Sequence, residues 1–205
     1  MTRLGVLGGT FNPIHHGHLV SAEVAAAAFH LERVLLVPAG QNPLKRHAEV
    51  SAEHRVQMTR LAARDNPLLQ VSTVDVNRPP PSYTVDTMAL LAELHPGGSL
   101  YLIVGADALP DLPDWRDPHR LLDLCHVIAL SRPGYALEVP PQVRAALGGR
   151  SRRIHLQEMP ELEISSTDLR RRFRTGMPVR YLLPEVVERY VREKRLYSAK
   201  EAKTL

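Results

Sequence analysis

The chain has 205 residues, of which 44% are hydrophobic, so it can bury one substantial core and is short for two independent ones. Lys plus Arg exceed Asp plus Glu by 26 to 22, a mild basic excess that suits anionic ligands without demanding nucleic acid. One cysteine, Cys125, excludes a disulfide framework and a multi-thiolate metal site; no apolar run approaches the roughly 20 residues of a membrane helix, and nothing at the start reads as a signal peptide.

In chain order, Arg3–Leu7, Arg33–Val37, Gln70–Val74, Leu100–Val104 and His126–Leu130 read as strands, with Ile154–Gln157 a weaker one. Between them Gly17–His30, Ser51–Arg64, Thr84–Leu94 and Pro118–Leu124 carry apolar residues at helical spacing, and Ser51 is a candidate N-cap. Two further helices, Ser165–Arg174 and Pro184–Arg195, are separated by the stop signal Gly176-Met177-Pro178. The alternation predicts an α/β fold with a parallel sheet flanked by helices and the C-terminal helices packed on it. Residues 1–197 are expected to form one domain and 198–205 a flexible tail. The arginine runs Arg150, Arg152, Arg153 and Arg170, Arg171, Arg172, Arg174 read as solvated faces.

Chemistry concentrates in two segments. The first strand runs into Gly8-Gly9-Thr10-Phe11-Asn12-Pro13-Ile14-His15-His16-Gly17-His18, just where a helix starts. Glycines allow backbone N–H groups to approach an anion, and the helix N-terminus adds positive potential, so a phosphate is the natural guest. His15 and His18 flank Gly17 with room for a phosphoryl group. The spacing matches neither the dinucleotide-binding glycine fingerprint nor the phosphate-binding loop that ends in Lys and Ser or Thr. A zinc site lacks cysteines or nearby carboxylates to complete it. The second segment, Ile164-Ser165-Ser166-Thr167-Asp168-Leu169-Arg170, puts hydroxyls at a helix start and an arginine one turn further in.

Together these segments resemble the H-x-G-H and S-S-T-x-x-R signatures of the Rossmann-like nucleotidyltransferase superfamily, in the same order and across nearly the whole chain. Within it the chain is similar to the bacterial nicotinate-nucleotide adenylyltransferases, through Gly8–His15, Pro81-Ser82-Tyr83-Thr84-Val85-Asp86-Thr87, Asn42-Pro43-Leu44-Lys45, Gly105-Ala106-Asp107 and Ser131-Arg132-Pro133-Gly134.

The resemblance implies transfer of the adenylyl group of ATP to nicotinic acid mononucleotide, with Mg²⁺ held through substrate phosphates. It implies catalytic roles for His15, His18, Lys45 and Arg170. It places Gly8, Gly9, Thr10, Phe11, His15, His18, Gly105, Asp107, Ile164, Ser165, Ser166, Thr167 and Arg170 along ATP. Lys45, Tyr83, Thr84, Trp115 and Arg132 are implied at the acceptor, with Trp115 stacked on the pyridine ring. A helix N-cap is the plainer reading of Asp107, and a capped strand end that of Arg132. Cytoplasmic location is expected, without nucleic acid or membrane as partner, and a homo-oligomer is left open. The alternatives are a sibling enzyme acting on another phosphate such as phosphopantetheine, a nucleic-acid-binding protein using the late arginines, and a nicotinamide-dependent dehydrogenase.

Overall fold

Along the strands, side chains alternate between two apolar clusters, as the period of two demands when both faces of a sheet are covered. In the computed structural model, which describes residues 2–40, 49–131 and 137–198, six strands form one parallel sheet: β1 (Arg3–Gly9), β2 (Arg33–Pro38), β3 (Leu69–Val71), β4 (Ser99–Gly105), β5 (Cys125–Ser131) and β6 (Ile154–Glu158). Their order is β3-β2-β1-β4-β5-β6. Leu7, Val34, Leu36, Tyr101, Ile103, Ile128 and Leu130 face one cluster, while Leu4, Val6, Leu35, Val37, Leu100, Leu102 and Val127 face the other.

The first face is covered by α1 (His16–Phe29), α2 (Ala52–Ala63), α6 (Ser166–Thr175) and α7 (Glu185–Glu193). Ala22, Ala25 and Ala26 of α1 are buried, and these small side chains let the helix lie close to the strands beneath. The second face is covered by α3 (Thr84–Leu94), α4 (Pro118–Leu124) and α5 (Pro141–Leu147). Ser51 caps α2, Ser165 caps α6, and Gly176 closes α6 in the left-handed conformation (φ 70°), as their chemistry predicts.

Two expectations need correction. The strand predicted over Gln70–Val74 ends at Val71; the chain turns from Thr73, with Asn77 N–H donating to the Thr73 carbonyl, and this delivers Asp75 to the mouth of the sheet. The helix at 141–147 is not among the expected elements, yet its Val143 and Leu147 bury against the second face; seven residues opening on a proline pair carry too little periodicity to register. The tail boundary at 198–205 lies almost wholly outside the described residues.

The strand order reverses direction between β1 and β4, which leaves a crevice at their C-terminal ends where neighbouring connections part to opposite faces.

Candidate active site

The two motif segments meet at that crevice. Ser166 Oγ donates to the Pro13 carbonyl at 2.8 Å, and Arg170 donates from NH1 to the Asn12 carbonyl at 2.9 Å, so α6 is tied directly to the turn between β1 and α1. Ser165 Oγ accepts the Asp168 N–H and thereby opens the helix. Arg170 also donates from NH2 to Thr167 Oγ1 at 3.3 Å and from Nε to Glu49 at 3.0 Å. The second carboxylate interaction of Glu49 is with Arg174; that hydrogen bond, seconded by Arg170, holds Glu49 below the usual carboxylate range against the opposing effect of burial.

The histidines are held as a pair. Their rings lie 3.7 Å apart between centroids, and the edge of Phe11 meets His18 at 5.0 Å. His18 Nδ1 accepts the backbone N–H of His15 at 3.2 Å, which leaves its ring proton on Nε2 as a donor. Gly17 lets the turn lie close to His15, since a Cβ there would stand 3.0 Å from His15 Nδ1 and press on the buried ring. Gly9 is similarly constrained, its would-be Cβ falling 2.8 Å from the buried ring of Phe11. Gly8 meets nothing within 4 Å, so open space lies over the end of β1.

His15 is only 6% exposed, and its Nδ1 has no hydrogen-bond partner among the described residues. Burial, with a smaller push from the neighbouring His16, lowers its pKa to about 4, so the ring is neutral at pH 7. The unfolded chain takes up this proton near the ordinary histidine value of about 6.5, whereas the fold refuses it down to about 4. Stability from this group is therefore complete above pH 6.5 and falls by about 3 kcal/mol as the pH drops through that window. Urea unfolding of wild type and His15→Asn at pH 7.5 and pH 4.5 checks this: the variant should lose about 2–3 kcal/mol less between the two conditions. An equal loss in both proteins would show that His15 titrates normally.

Beside the histidines lies a cleft of about 590 Å³ whose lining includes Gly8, Gly9 and Thr10 from β1, Tyr83 and Thr84 at the start of α3, and Trp115. Tyr83, Thr84 and Trp115, expected at the acceptor, thus share one cavity with Gly8, Gly9 and Thr10, expected at the nucleotide, whereas His15, His18, Gly105, Asp107 and the α6 segment are not part of its lining. Tyr83 is the N-cap of α3, and the backbone N–H groups of the first turn point out of the helix ladder. Gly105 and Asp107 sit at the end of β4, and Asp107 is an exposed carboxylate within the 3-10 turn Ala106–Ala108, whose N-cap is Gly105; the N-cap reading of Asp107 is therefore replaced. Phe11 is buried and supports His18 from beneath. Lys45 and Arg132, together with Asn42-Pro43-Leu44 and Pro133-Gly134, lie outside the described residues.

The structure adds residues that spacing did not reveal. Arg55 of α2, 3% exposed, donates to the carbonyls of Thr10 at 2.9 Å and Ala39 at 2.7 Å, and burial draws its pKa below the usual arginine range. Asp75 gathers three donors: the Gly40 N–H at 2.9 Å, Thr87 Oγ1 at 2.6 Å and the Arg78 guanidinium at 2.5 Å. One carboxylate thereby fixes the end of β2, the proline-rich approach to Tyr83 and the first turn of α3. Most of the late arginines are exposed, as expected of solvated faces, and several also form ion pairs there: Arg150 pairs with Asp123, and both Arg171 and Arg172 pair with Asp168. Among the described residues no three His, Cys, Asp or Glu side chains are grouped to hold a metal ion, and no helix is long and apolar enough to cross a membrane.

Comparison with known proteins agrees with this geometry. Residues 6–172 match the family model described as cytidylyltransferase-like. A relative from a Roseiflexus species, named "Probable nicotinate-nucleotide adenylyltransferase", is 47% identical over 95% of this chain and 97% of its own length. A Moorella thermoacetica protein of the same name is 48% identical over 95% of this chain and 91% of its own. Among solved structures, a Plasmodium falciparum nicotinic acid mononucleotide adenylyltransferase complexed with NaAD superposes with a TM-score of 0.75 at 17% identity, covering 96% of this chain and 98% of that one, which shows the shared fold. By the reach of the family model and by identity along nearly its full length, the chain belongs to the cytidylyltransferase-like family and, within it, to the nicotinate-nucleotide adenylyltransferases.

Proposed function

We propose that the protein transfers the adenylyl group of ATP to nicotinic acid mononucleotide, releasing pyrophosphate and forming nicotinic acid adenine dinucleotide. The observation that carries this reading is the docking of Ser166 and Arg170 onto the turn between β1 and α1, beside a cleft shared by Gly9, Thr10, Tyr83, Thr84 and Trp115. It brings a phosphate-binding turn and an aromatic acceptor pocket to one crevice.

In this reaction a phosphate oxygen of the mononucleotide attacks the α-phosphorus of ATP. A new P–O bond forms, the bond from the α-phosphorus to the bridging oxygen breaks, and pyrophosphate leaves with the electron pair. The attacking oxygen is already anionic, so no general base is needed, and the burden falls on positioning and on neutralising charge. His18 donates from Nε2 to an oxygen of the α-phosphate, strengthening as charge builds in the transition state. His15, kept neutral by burial, donates to the ATP phosphates without adding a charge of its own. Arg170 and the first turn of α6 take the leaving phosphates, where a guanidinium and unpaired N–H groups converge.

Gly8, Gly9 and Thr10 run along the nucleotide, and Asp107 accepts from its ribose hydroxyls. Thr84 and the open N-terminus of α3 meet the acceptor, and Trp115 stacks on its ring. Mg²⁺ would be held through the substrate phosphates rather than by a cluster of protein side chains, and when bound would supply shielding of the negative charge between the two substrates. We place the reaction in the cytoplasm, in keeping with the single buried thiol of Cys125.

Pyrophosphate release from ATP and Mg²⁺, measured with nicotinic acid mononucleotide, nicotinamide mononucleotide, phosphopantetheine or no acceptor, tests the reading. Release with the first, accompanied by the dinucleotide, is expected. Release with phosphopantetheine alone would retain the reaction class and overturn the acceptor assignment, and silence from all three in folded protein would overturn both. Trp115→Ala should raise KM for the mononucleotide about tenfold with kcat little changed, as loss of a stacking partner requires. A fall in kcat at unchanged KM would remove Trp115 from the acceptor site.

A further inference from the structure

Resting on the reaction proposed above, we infer that Arg116 is the residue that distinguishes the acid nucleotide from its amide, by pairing its guanidinium with the pyridine carboxylate. Among the described residues that line the cleft, Arg116 is the one cation, whereas Asp75, Asp111 and Asp114 bring carboxylates to the same walls. Asp75 is already neutralised by Arg78, but Asp111 and Asp114 would repel an acceptor that carries a carboxylate of its own. Beside the open N-terminus of α3, a cation in the walls would offset that repulsion, and the walls offer Arg116.

Its placement suits the task. The guanidinium carbon stands 4.3 Å from the centroid of the Tyr83 ring, a stacked cation–π contact. Stacking occupies the flat face of the guanidinium and leaves the N–H donors at its edge free for a two-pronged contact with a carboxylate. Among the described residues no carboxylate pairs with Arg116, so the fork is not already spent.

The backbone on either side is fixed. Trp115 donates its N–H to the Leu112 carbonyl at 3.2 Å, and Asp117 caps α4 by accepting the Arg120 N–H at 3.2 Å. Tyr83 is anchored in turn, its carbonyl accepting the Thr87 N–H at 3.2 Å while the Thr87 hydroxyl donates to Asp75. Trp115 and Arg116, adjacent in sequence, thus serve one ring and its substituent: the indole stacks on the pyridine and the guanidinium reads the group attached to it.

The deciding experiment measures kcat/KM with nicotinic acid mononucleotide and nicotinamide mononucleotide for wild type, Arg116→Gln and Arg116→Lys, with thermal melting recorded for each. Arg116→Gln should lower efficiency about thirtyfold with the acid and less than about threefold with the amide, because only the acid loses a charged partner. Arg116→Lys, which keeps the charge but not the fork, should restore part of the preference. Equal loss with both nucleotides, or an acid preference unchanged in Arg116→Gln, would overturn the inference while leaving the transferase reading intact. Wild type that transfers to neither nucleotide would overturn that reading, and the inference with it.

Discussion

His18→Ala should lower kcat for pyrophosphate release by about two to three orders of magnitude, with KM for either substrate changed by less than about threefold. The ring is held on three sides: the tilted ring of His15 lies 3.7 Å from it, the edge of Phe11 meets it at 5.0 Å, and its Nδ1 accepts the His15 N–H. That last bond fixes the tautomer, so the Nε2 proton is committed before substrate arrives and no reorganisation is needed in the transition state. The variant should remain folded, since the loss of one capping interaction at α1 costs about 1 kcal/mol. Two companion variants separate capping from catalysis. In His18→Asn the side-chain oxygen can still accept the His15 N–H but reaches no phosphate, so it should recover stability without activity. In His18→Gln an amide donor extends toward the Nε2 position and should regain about tenfold of the lost rate. Turnover in His18→Ala within tenfold of wild type would remove His18 from the transition state.

The parts of this arrangement that sequence reveals are the contiguous ones. Helix bounds at Thr84–Leu94 and Pro118–Leu124 agree between pattern and structure, since each starts where an extended residue or a proline stops the preceding chain and each carries a clear apolar face. The strands are legible because both sheet faces are buried and the runs are dense in Val, Leu and Ile. The edge strand β3 is the exception: it pairs on one side only, so three residues suffice, and Val74 packs on the core from a turn instead.

The two motif segments are legible for the same reason, each being a short run of fixed spacing. What joins them is not. The bond from Arg170 to Asn12 spans 158 residues, the bond from Arg55 to Thr10 spans 45, and Tyr197 reaches Asn12 Oδ1 at 2.6 Å across 185. No periodicity encodes such pairs; they exist because the parallel topology returns every strand to the same edge. Asp75 hides similarly, as one acidic residue in a turn whose value lies in collecting donors from three separate segments. The arginine run of α6 shows the limit most plainly, since four cations of identical chemistry divide between Asp168, Glu49 and a backbone carbonyl according to helix face alone.

That division predicts unequal effects within the run. Arg170→Ala should reduce kcat/KM for ATP by about a hundredfold, whereas Arg171→Ala, whose partner is Asp168 on the exposed side of the same helix, should change it by less than about threefold. Arg170 is partly buried and donates in three directions, to Asn12, Thr167 and Glu49, so its plane is set before phosphate binds. Lysine offers a single ammonium on a flexible stem and can replace the charge but not this orientation, so Arg170→Lys should recover no more than about tenfold. The stability loss should stay near 1 kcal/mol, the worth of a typical hydrogen bond, and urea unfolding separates it from the kinetic effect. If Arg170→Lys instead matched wild type, charge alone would suffice, and the tie from α6 to the Asn12 carbonyl would be a packing contact with no part in aligning the leaving phosphates.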